Sequence, residues 1–373
     1  MTFASSNRVP GIWSGLIWAL GAPPGGGVSR PRLVWRALHS TLAHPKAMRR
    51  WMTMVFELHS RGIAPDMPSE YMRAIRPYVN RHTGLTARVT QLIDYADWME
   101  TALQPSAFTL ISAGEPLVLA DLPAPRGYEY MRLQLQRSSP QSPEGELLLT
   151  LTLRRSAEVQ PNAQPVDAAA MGFSRFRVDN VACLVIGGVR GQRNPVARLS
   201  PQEISQALSG WKPAVLMVRV AQELARFWGL RLIGLDPTAH QLQGWTYRWN
   251  KRQRDSAVRI YDSYGALWDH FEATRGPHGW MIVPLDSDEK LAATALSPEK
   301  RSRQTRRADY WIRTRNQLRL QFRELLLRLG REPRLSRMTE SMGQDSSDED
   351  DDFLNSEDMV PSRVLETGPG SLL

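Results

Sequence analysis

Cysteine is almost absent from this chain, which has Cys183 alone among its 373 residues. A single thiol excludes a disulfide scaffold and any metal site built from several cysteines. Cys183 lies in the apolar run Val181–Ile186, so we expect it in the hydrophobic core. No collagen or heptad repeat is present, which excludes a fibrous protein. The 42% hydrophobic content instead indicates a globular protein of one large domain or about two smaller ones.

Long hydrophobic runs are also lacking. The apolar N-terminal stretch Gly11–Gly21 is about ten residues long, too short to span a bilayer. It has the composition of a signal-peptide core, but Arg8 is the only basic residue before it and Ala19–Ala22 is a poor cleavage site. The alternative is a short surface or docking helix. We expect no transmembrane segment and a cytoplasmic protein, with a peripheral position on the inner membrane as the alternative.

Negative charge is concentrated at the C-terminus. Residues 341–373 hold nine acidic residues and Arg363 as their one basic residue, a net charge of −8. Since the whole chain carries +9, residues 1–340 carry +17. So basic a body attracts nucleic acid, anionic lipid, lipopolysaccharide or phosphorylated small molecules. The acidic segment Asp345–Asp352 is either a solvated, disordered tail or a segment that folds back onto the basic surface.

The spacing of apolar residues changes along the chain. It is helical through residues 31–103 and alternates in the pairs Tyr128–Gln136 with Glu146–Arg155 and Met171–Val178 with Val181–Gly187, which predict antiparallel hairpins. Shorter strands are predicted at 108–112, 116–120, 230–235 and 279–283, and helices at 212–229, 264–273 and 298–329. The predicted fold is α+β: a helical N-terminal part, a mostly antiparallel sheet with packed helices, and a basic C-terminal helix.

Composition and spacing together predict the domain organisation. Residues 1–30 form a flexible N-terminus, 31–105 a helical subdomain, 106–330 the α+β domain and 331–373 a disordered acidic tail. Nothing in the sequence indicates the oligomeric state.

The best candidate for a small-molecule site is the segment Gly187–Arg193, predicted as a loop after a strand. Its glycines allow a backbone to approach a phosphate closely, and its arginines can form paired hydrogen bonds with phosphate oxygens. The predicted ligand-binding residues are Gly187, Gly188, Arg190, Gly191 and Arg193. The segment matches neither common phosphate-loop pattern, so a glycine-rich bulge or turn is the alternative.

Catalytic candidates are few. No histidine pair has zinc-protease spacing and no G-x-S-x-G motif is present, so we expect no metal and no hydrolase nucleophile. Asp236 and His240 could meet near a strand end as orienting group and general base, and Asp262 is a further candidate base. For His240 the alternative is a structural histidine in a loop.

Two basic segments are candidate polyanion-binding surfaces. In Trp245–Arg254 the aromatic residues alternate with bases, which suits single-stranded nucleic acid or a lipid interface. Residues 291–340 hold thirteen basic and five acidic residues. The candidate contacts are Arg248, Lys251, Arg252, Arg254, Arg306, Arg307 and Arg313. No helix-turn-helix, ribonucleoprotein or zinc-finger signature accompanies them, so sequence-specific DNA binding is not indicated.

Several stretches together resemble the VirK/YbjX family of bacterial proteins. They are Ile186–Gly191, Trp211–Pro213, Phe227–Leu230, His240, Tyr261–Tyr264, Trp268, Ile282–Leu285, Arg306–Tyr310 and Arg313, with Arg36–Leu38, His44–Pro45, Trp51 and Arg76–Tyr78 upstream. The resemblance covers about residues 32–330. It implies a link to virulence, envelope integrity, stress and resistance to antimicrobial peptides, and it supplies no catalytic residue. Arg190 stands where the family commonly has Gln.

The order of predicted elements also resembles the GNAT acyltransferase layout, in which a strand, a pyrophosphate-holding loop, a helix, a strand and another helix follow one another. The usual loop directly before the helix is absent, and about 20 residues separate Gly191 from Pro213. We therefore expect an acyl-CoA-type ligand at Gly187–Arg193, with a non-enzymatic binder of anionic lipid or nucleic acid as the alternative. The sequence names no cofactor.

Overall fold

The computed structural model describes residues 12–23, 30–76, 78–124, 126–159, 162, 164–191, 200–240, 263–285 and 298–327. Among these, no helix combines the length and apolar character needed to cross a bilayer. Three predictions fall outside the described residues: the aromatic and basic segment Trp245–Arg254, the two site residues Arg193 and Asp262, and the acidic segment Asp345–Asp352.

Six helices precede the sheet. Four of them have proline as their first or second residue, where its missing N–H breaks no hydrogen bond. The helices are α1 (Ile12–Gly21), α2 (Arg30–Ala43), α3 (Pro45–Ser60), α4 (Met67–Ile75), α5 (Leu85–Ala102) and α6 (Pro105–Ser112). Helix α6 corrects one prediction, because residues 108–112 were expected to form a strand. A segment with three apolar residues among five suits either structure, and Pro105 and the packing of Ile111 decide for a helix.

The sheet has eight strands. They are β1 (Leu117–Leu122), β2 (Tyr128–Arg137), β3 (Leu147–Arg155), β4 (Val166–Val178), β5 (Val181–Gly191), β6 (Arg231–Leu235), β7 (Thr274–Arg275) and β8 (Trp280–Ile282). Their order is β1-β2-β3-β4-β5-β6-β8-β7, and every pairing is antiparallel except that of β5 with β6. The mostly antiparallel sheet with packed helices confirms the predicted α+β fold.

Local sequence explains the two predicted hairpins. Strands β2 and β3 pair with Leu133 opposite Leu151, so their apolar residues share one face. Strands β4 and β5 turn at Asp179 and Asn180, which both have positive φ angles (49° and 62°). Asp and Asn tolerate this left-handed conformation better than other non-glycine residues, and two such residues make a tight hairpin turn.

The remaining helices are α7 (Pro201–Ala207), α8 (Pro213–Trp228), α9 (residues 263–270) and α10 (Pro298–Leu325). Ser200 and Glu203 form the predicted capping box at the start of α7. Helix α8 begins at Pro213 and ends at Gly229, whose φ of 66° suits glycine. Helices α7 and α8 lie in the crossover between β5 and β6, because two parallel strands cannot be joined by a tight turn.

The core has two parts on opposite faces of β5. Cys183 and Val185 point to a cluster formed with the N-terminal helices, and Leu184 and Ile186 point to one formed with α8, α9 and α10. Cys183 is buried as expected, and burial raises the pKa of its thiol. The two parts of the core lie in one compact unit, Met1–Pro333.

A buried group of charged residues joins helix α4 to the hairpin of β2 and β3. Arg73 forms ion pairs with Glu146 and with Glu70, and the Glu70 carboxylate also accepts a hydrogen bond from Arg137 at 2.5 Å. Arg73, Glu70 and Glu146 are each at most 3% exposed. Charges withdrawn from water are tolerated when each has an opposite partner, so the four side chains stabilise one another.

Candidate functional site

The glycines of the segment Gly187–Arg193 lie in a strand. Strand β5 continues to Gly191, so the predicted loop is a correction as far as that residue, and Arg193 lies outside the described residues. Gly172 pairs with Gly188 and Phe173 with Ile186, which leaves Gly187 as the extra residue of a β-bulge. Backbone pairing with β4 holds the residues from Gly188 to Gly191 in an extended conformation.

Glu144, in the loop between β2 and β3, lies directly on this bulge. A Cβ atom on Gly187 would stand 2.3 Å from the Glu144 carbonyl oxygen, and one on Gly188 would stand 2.7 Å from the Glu144 side chain. Real Cβ atoms do not approach so closely. The two glycines therefore allow the loop to cross the strand, a packing role that the sequence left open beside ligand binding.

Arg190 contacts the same carboxylate. Its Nη1 atom donates to Glu144 Oε2 at 2.7 Å, with side-chain exposures of 20% and 18%. A phosphate at this point would share Arg190 with Glu144. The guanidinium has five N–H donors, so it can contact both groups.

The parallel strands separate beside this bulge. Strands β5 and β6 pair from Cys183 opposite Arg231 to Ile186 opposite Gly234; beyond these residues, the described part of the chain pairs β5 with β4 only. The N–H of Val189 donates to the Tyr264 hydroxyl at 2.8 Å, so α9 supplies a side chain where β6 no longer pairs. The carboxyl ends of parallel strands are where open α/β sheets bind ligands. We use the name strand-end cleft for the group Gly187, Arg190, Tyr264 and His240, of which Tyr264 and His240 are 5% and 4% exposed.

His240 follows β6 and lies against Tyr264, with the rings edge-on and their centroids 6.0 Å apart. It also forms an isolated antiparallel bridge with Asn80, from the segment after α4. Burial lowers the pKa of His240 to about 4, so its imidazole is neutral at neutral pH. Burial and the charge of Glu144 raise the pKa of Tyr264, which keeps its proton. A neutral imidazole and a protonated phenol can accept and donate a proton, respectively.

The structure gives Asp236 a different set of contacts from the one predicted. Its Oδ1 atom accepts hydrogen bonds from the Thr238 N–H at 2.8 Å and the Thr238 hydroxyl at 2.6 Å. Asp236 thereby caps the single helical turn Pro237–Ala239, which leads into His240. This contact positions the turn that carries His240, and Asp262 lies outside the described residues.

Three residues were missed as site residues: Tyr264, which belongs to the cleft, and Glu144 and Asn80, which contact its residues. The Asn80 side chain donates to the His278 carbonyl at 2.7 Å and accepts from the His82 N–H at 2.9 Å, so it joins two loops beside His240. Tyr264 had a signal, because it ends the family-like stretch Tyr261–Tyr264. Glu144 and Asn80 carried none, since their roles depend on contacts between distant parts of the chain.

A second candidate site lies between α7 and α10, next to the start of α8. It is a cavity of about 600 Å³ lined by Gln202, Ser205, Gln206, Ser209, Gly210, Arg303 and Arg306. No carboxylate is among these lining residues. We call it the basic pocket.

The structure separates the predicted polyanion contacts. Arg306 lines the basic pocket, whereas the Arg307 guanidinium lies 5.3 Å from the centre of the Trp211 ring, and Arg313 donates to the carbonyl of Asp309 in its own helix. The other predicted contacts, Arg248, Lys251, Arg252 and Arg254, lie outside the described residues. Of the predicted contacts in α10, Arg306 is therefore the one placed in the lining of the basic pocket.

Fold and site together define a mixed α+β protein in which His240 and Tyr264 lie beside the carboxyl ends of two parallel strands. The model of the family described as protein of unknown function (DUF535) matches residues 28–319. The chain belongs to this family, which includes VirK and YbjX. No curated protein matches the chain, and no solved structure matches it.

Proposed function

We propose that the strand-end cleft binds an acyl thioester of the CoA type and transfers its acyl group to a nucleophile. One observation carries the proposal: β5 and β6 stop pairing after Ile186 and Gly234, beside Tyr264 and His240. Among the described residues, β5 pairs beyond Ile186 with β4 only, and an extended ligand with amide groups can pair with the other edge of a strand.

The order of elements supports this class of ligand. Strand β5, helix α8, strand β6 and helix α9 occur in the order of the GNAT layout, with the short helix α7 inserted between β5 and α8. The departure noted in the sequence remains, because no pyrophosphate-holding motif directly precedes α8. We therefore assign the donor's phosphates to Arg190, beside its contact with Glu144, and to Arg193. Shared layout alone implies no activity, so the proposal depends on the residues of the cleft.

The chemistry assigns two proton-transfer roles. The His240 imidazole takes the proton of an incoming amine or hydroxyl as its nitrogen or oxygen bonds to the acyl carbon. The carbon–sulfur bond breaks, and the leaving thiolate takes a proton from the Tyr264 hydroxyl. Solvent then returns a proton to Tyr264 and removes one from His240, so protons balance. Asp236 acts only by positioning the His240 turn, and Asp262 is kept as a further candidate base.

The family gives this activity a setting. We propose a cytoplasmic protein, or one bound peripherally to the inner membrane, that supports envelope integrity, virulence or the response to antimicrobial peptides and other stress. An acyl acceptor in the envelope would fit both the setting and the basic body of the protein.

Ligand-dependent thermal stability tests the proposal. Acetyl-CoA and a long-chain acyl-CoA at about 100 times Kd should each stabilise the folded protein by about 2.7 kcal/mol, a rise of several degrees in Tm. The variant Arg190→Gln/Arg193→Gln should lose this rise. The matched control is Arg132→Gln. It removes an exposed arginine of β2 that pairs with Asp121 of β1, and the ligand-dependent rise in Tm should remain. No shift with millimolar ligand would overturn the acyl-donor proposal.

A second candidate function is binding of a phosphate polyanion, such as single-stranded nucleic acid, at the basic pocket. It is favoured by Arg303 and Arg306, which form no ion pair with any described residue and face a cavity without carboxylates. The two functions differ in salt dependence. Contacts with exposed arginines weaken steeply with added salt, whereas a buried ligand in the cleft is less affected.

A further inference from the structure

Helix α1 exposes one apolar face to solvent. Trp13, Ile17 and Leu20 lie on successive turns of the same side and are 77%, 54% and 60% exposed. The opposite side is packed: Trp18 meets the Tyr71 ring of α4 edge-on at 5.7 Å, and a Cβ on Gly15 would stand 2.7 Å from the Tyr71 hydroxyl. The helix is thus anchored by one face, and an unusually apolar second face has no partner among the described residues.

The neighbouring helix α2 also exposes large apolar side chains. Trp35 and Leu42 are 65% and 67% exposed, and they are also two turns apart on one side of their helix. Helices α1 and α2 contact one another. Five large apolar side chains, two of them tryptophans, are therefore exposed on two adjacent helices, a composition typical of segments at a membrane–water interface.

The charge in this part of the sequence has one sign only. Residues 1–56 contain no Asp or Glu and seven Lys or Arg residues. Six of the seven lie in the described part of α2 and α3: Arg30, Arg32, Arg36, Lys46, Arg49 and Arg50. None of the six forms an ion pair with any residue that the structure describes. These cations are available to an external anionic surface.

We infer that α1, with the exposed face of α2, docks the protein on an anionic lipid bilayer. Helix α1 has ten residues, a length of about 15 Å, so it would lie along the interface with its tryptophan, isoleucine and leucine among the headgroups and upper acyl chains. A second copy of the chain fits the surface less well, because a symmetric contact would bring two sets of the same cations together. The inference is independent of the acyl-transfer proposal.

Flotation of the full chain with vesicles tests the inference. The protein should float with vesicles of equal parts phosphatidylglycerol and phosphatidylcholine, and not with phosphatidylcholine alone. The variant Trp13→Ser/Ile17→Ser/Leu20→Ser should lower binding by at least about tenfold, since it removes most of the apolar area buried in the interface. Arg30→Gln/Arg32→Gln/Arg49→Gln should weaken binding at low salt and flatten its salt dependence.

The matched control is Ile312→Ser/Leu320→Ser, which alters two similarly exposed apolar residues of α10 (54% and 59%) in another basic element. It should bind vesicles as the unaltered protein does. Circular dichroism and Tm confirm that each variant is folded. Equal flotation of the α1 triple variant and the unaltered protein would overturn the inference. So would failure of the unaltered protein to float, including the case in which it forms a dimer that the triple variant does not form.

Discussion

Glu144 and Arg190 form an ion pair across the glycine bulge of β5, with Arg190 Nη1 2.7 Å from Glu144 Oε2. The pair joins the loop between β2 and β3 to the strand that carries the candidate ligand-binding residues. Arg190 was predicted as a phosphate contact, and the fold brings a carboxylate of the protein to the same guanidinium. Ligand binding and loop position are therefore coupled through one side chain.

A double-mutant cycle should measure this coupling. We expect Glu144→Ala and Arg190→Ala together to destabilise the protein by about 1 kcal/mol less than the sum of the single variants, because either change alone removes the ion pair. Urea unfolding at pH 7 gives the three free energies. Strictly additive effects would show that the pair contributes nothing to loop position.

Replacing Gly187 should be far more disruptive than replacing a nearby glycine. Gly187→Ala places a methyl group 2.3 Å from the Glu144 carbonyl oxygen, and backbone must move to relieve the clash. We expect a loss of at least about 2 kcal/mol in the free energy of unfolding. Gly191→Ala, with no atom within 4 Å, is the control and should change it by less than about 0.5 kcal/mol. Equal effects would contradict the bulge contact.

Stability should fall in mild acid because of His240. The pKa of this group is about 4 in the folded protein, against 6.5 for the ordinary side chain. Between these values the unfolded chain binds a proton that the folded protein does not, so acid favours unfolding. The neutral, buried His240 leaves the free energy of unfolding at its full value above pH 6.5. As the pH falls from 6.5 to 4, protonation of the unfolded chain lowers that free energy by about 3 kcal/mol.

Urea unfolding at several pH values between 7 and 4 tests this. His240→Gln lacks the titrating group, so its stability should decline less with acid than that of the unaltered protein. The control is His39→Gln, at an exposed position of α2, which should keep the original pH dependence. If His240→Gln follows the unaltered protein throughout this range, the imidazole is not buried in its neutral form.

Removing Arg73 should cost far more stability than removing an exposed arginine. Arg73→Met leaves the carboxylates of Glu70 and Glu146 buried with reduced compensation, and we expect a loss of about 3–5 kcal/mol. Arg61→Met is the matched control: Arg61 pairs with Glu100 at the surface and should contribute below about 0.5 kcal/mol. Chemical denaturation of both variants gives the comparison, and similar losses would contradict a structural role for the buried group.

The basic pocket should contribute to binding of a single-stranded oligonucleotide. Arg303→Gln/Arg306→Gln removes two cations, so the slope of log K against log salt should fall by about 1.4. Arg132→Gln/Arg154→Gln, which alters two exposed arginines paired with Asp121 and Glu129, should leave the slope unchanged. Fluorescence anisotropy over a salt series measures both. An unchanged slope in the pocket variant would remove the pocket as a polyanion site.

Local patterns were sufficient for much of the fold. The alternation in β2 and β3, the Asp179–Asn180 turn, the capping box of α7 and the ends of α8 are each determined by residues close together in the chain. Residues 108–112 were misassigned because the three apolar residues of so short a segment fit either period, and contacts with distant residues decided between them. The predicted domain boundaries, signal segment and tail behaviour stay predictions.

The candidate site was only half visible in the sequence. Glycines, arginines and His240 could be selected by residue type, because their chemistry is a property of the side chain itself. Their contacts with Glu144, Tyr264 and Asn80 could not be predicted, since each contact joins segments that are tens of residues apart or more. The lowered pKa of His240 likewise results from burial that no local pattern encodes.

The sequence by itself determined the α+β class, the family resemblance, the hairpins and the basic body, since these depend on composition and on residues near one another. Only the tertiary structure decided that the glycine segment is a bulge under Glu144, that β5 and β6 separate beside His240, and that α1 exposes Trp13, Ile17 and Leu20. The reason is physical: burial, close approach and charge pairing depend on which distant segments the folded chain brings together.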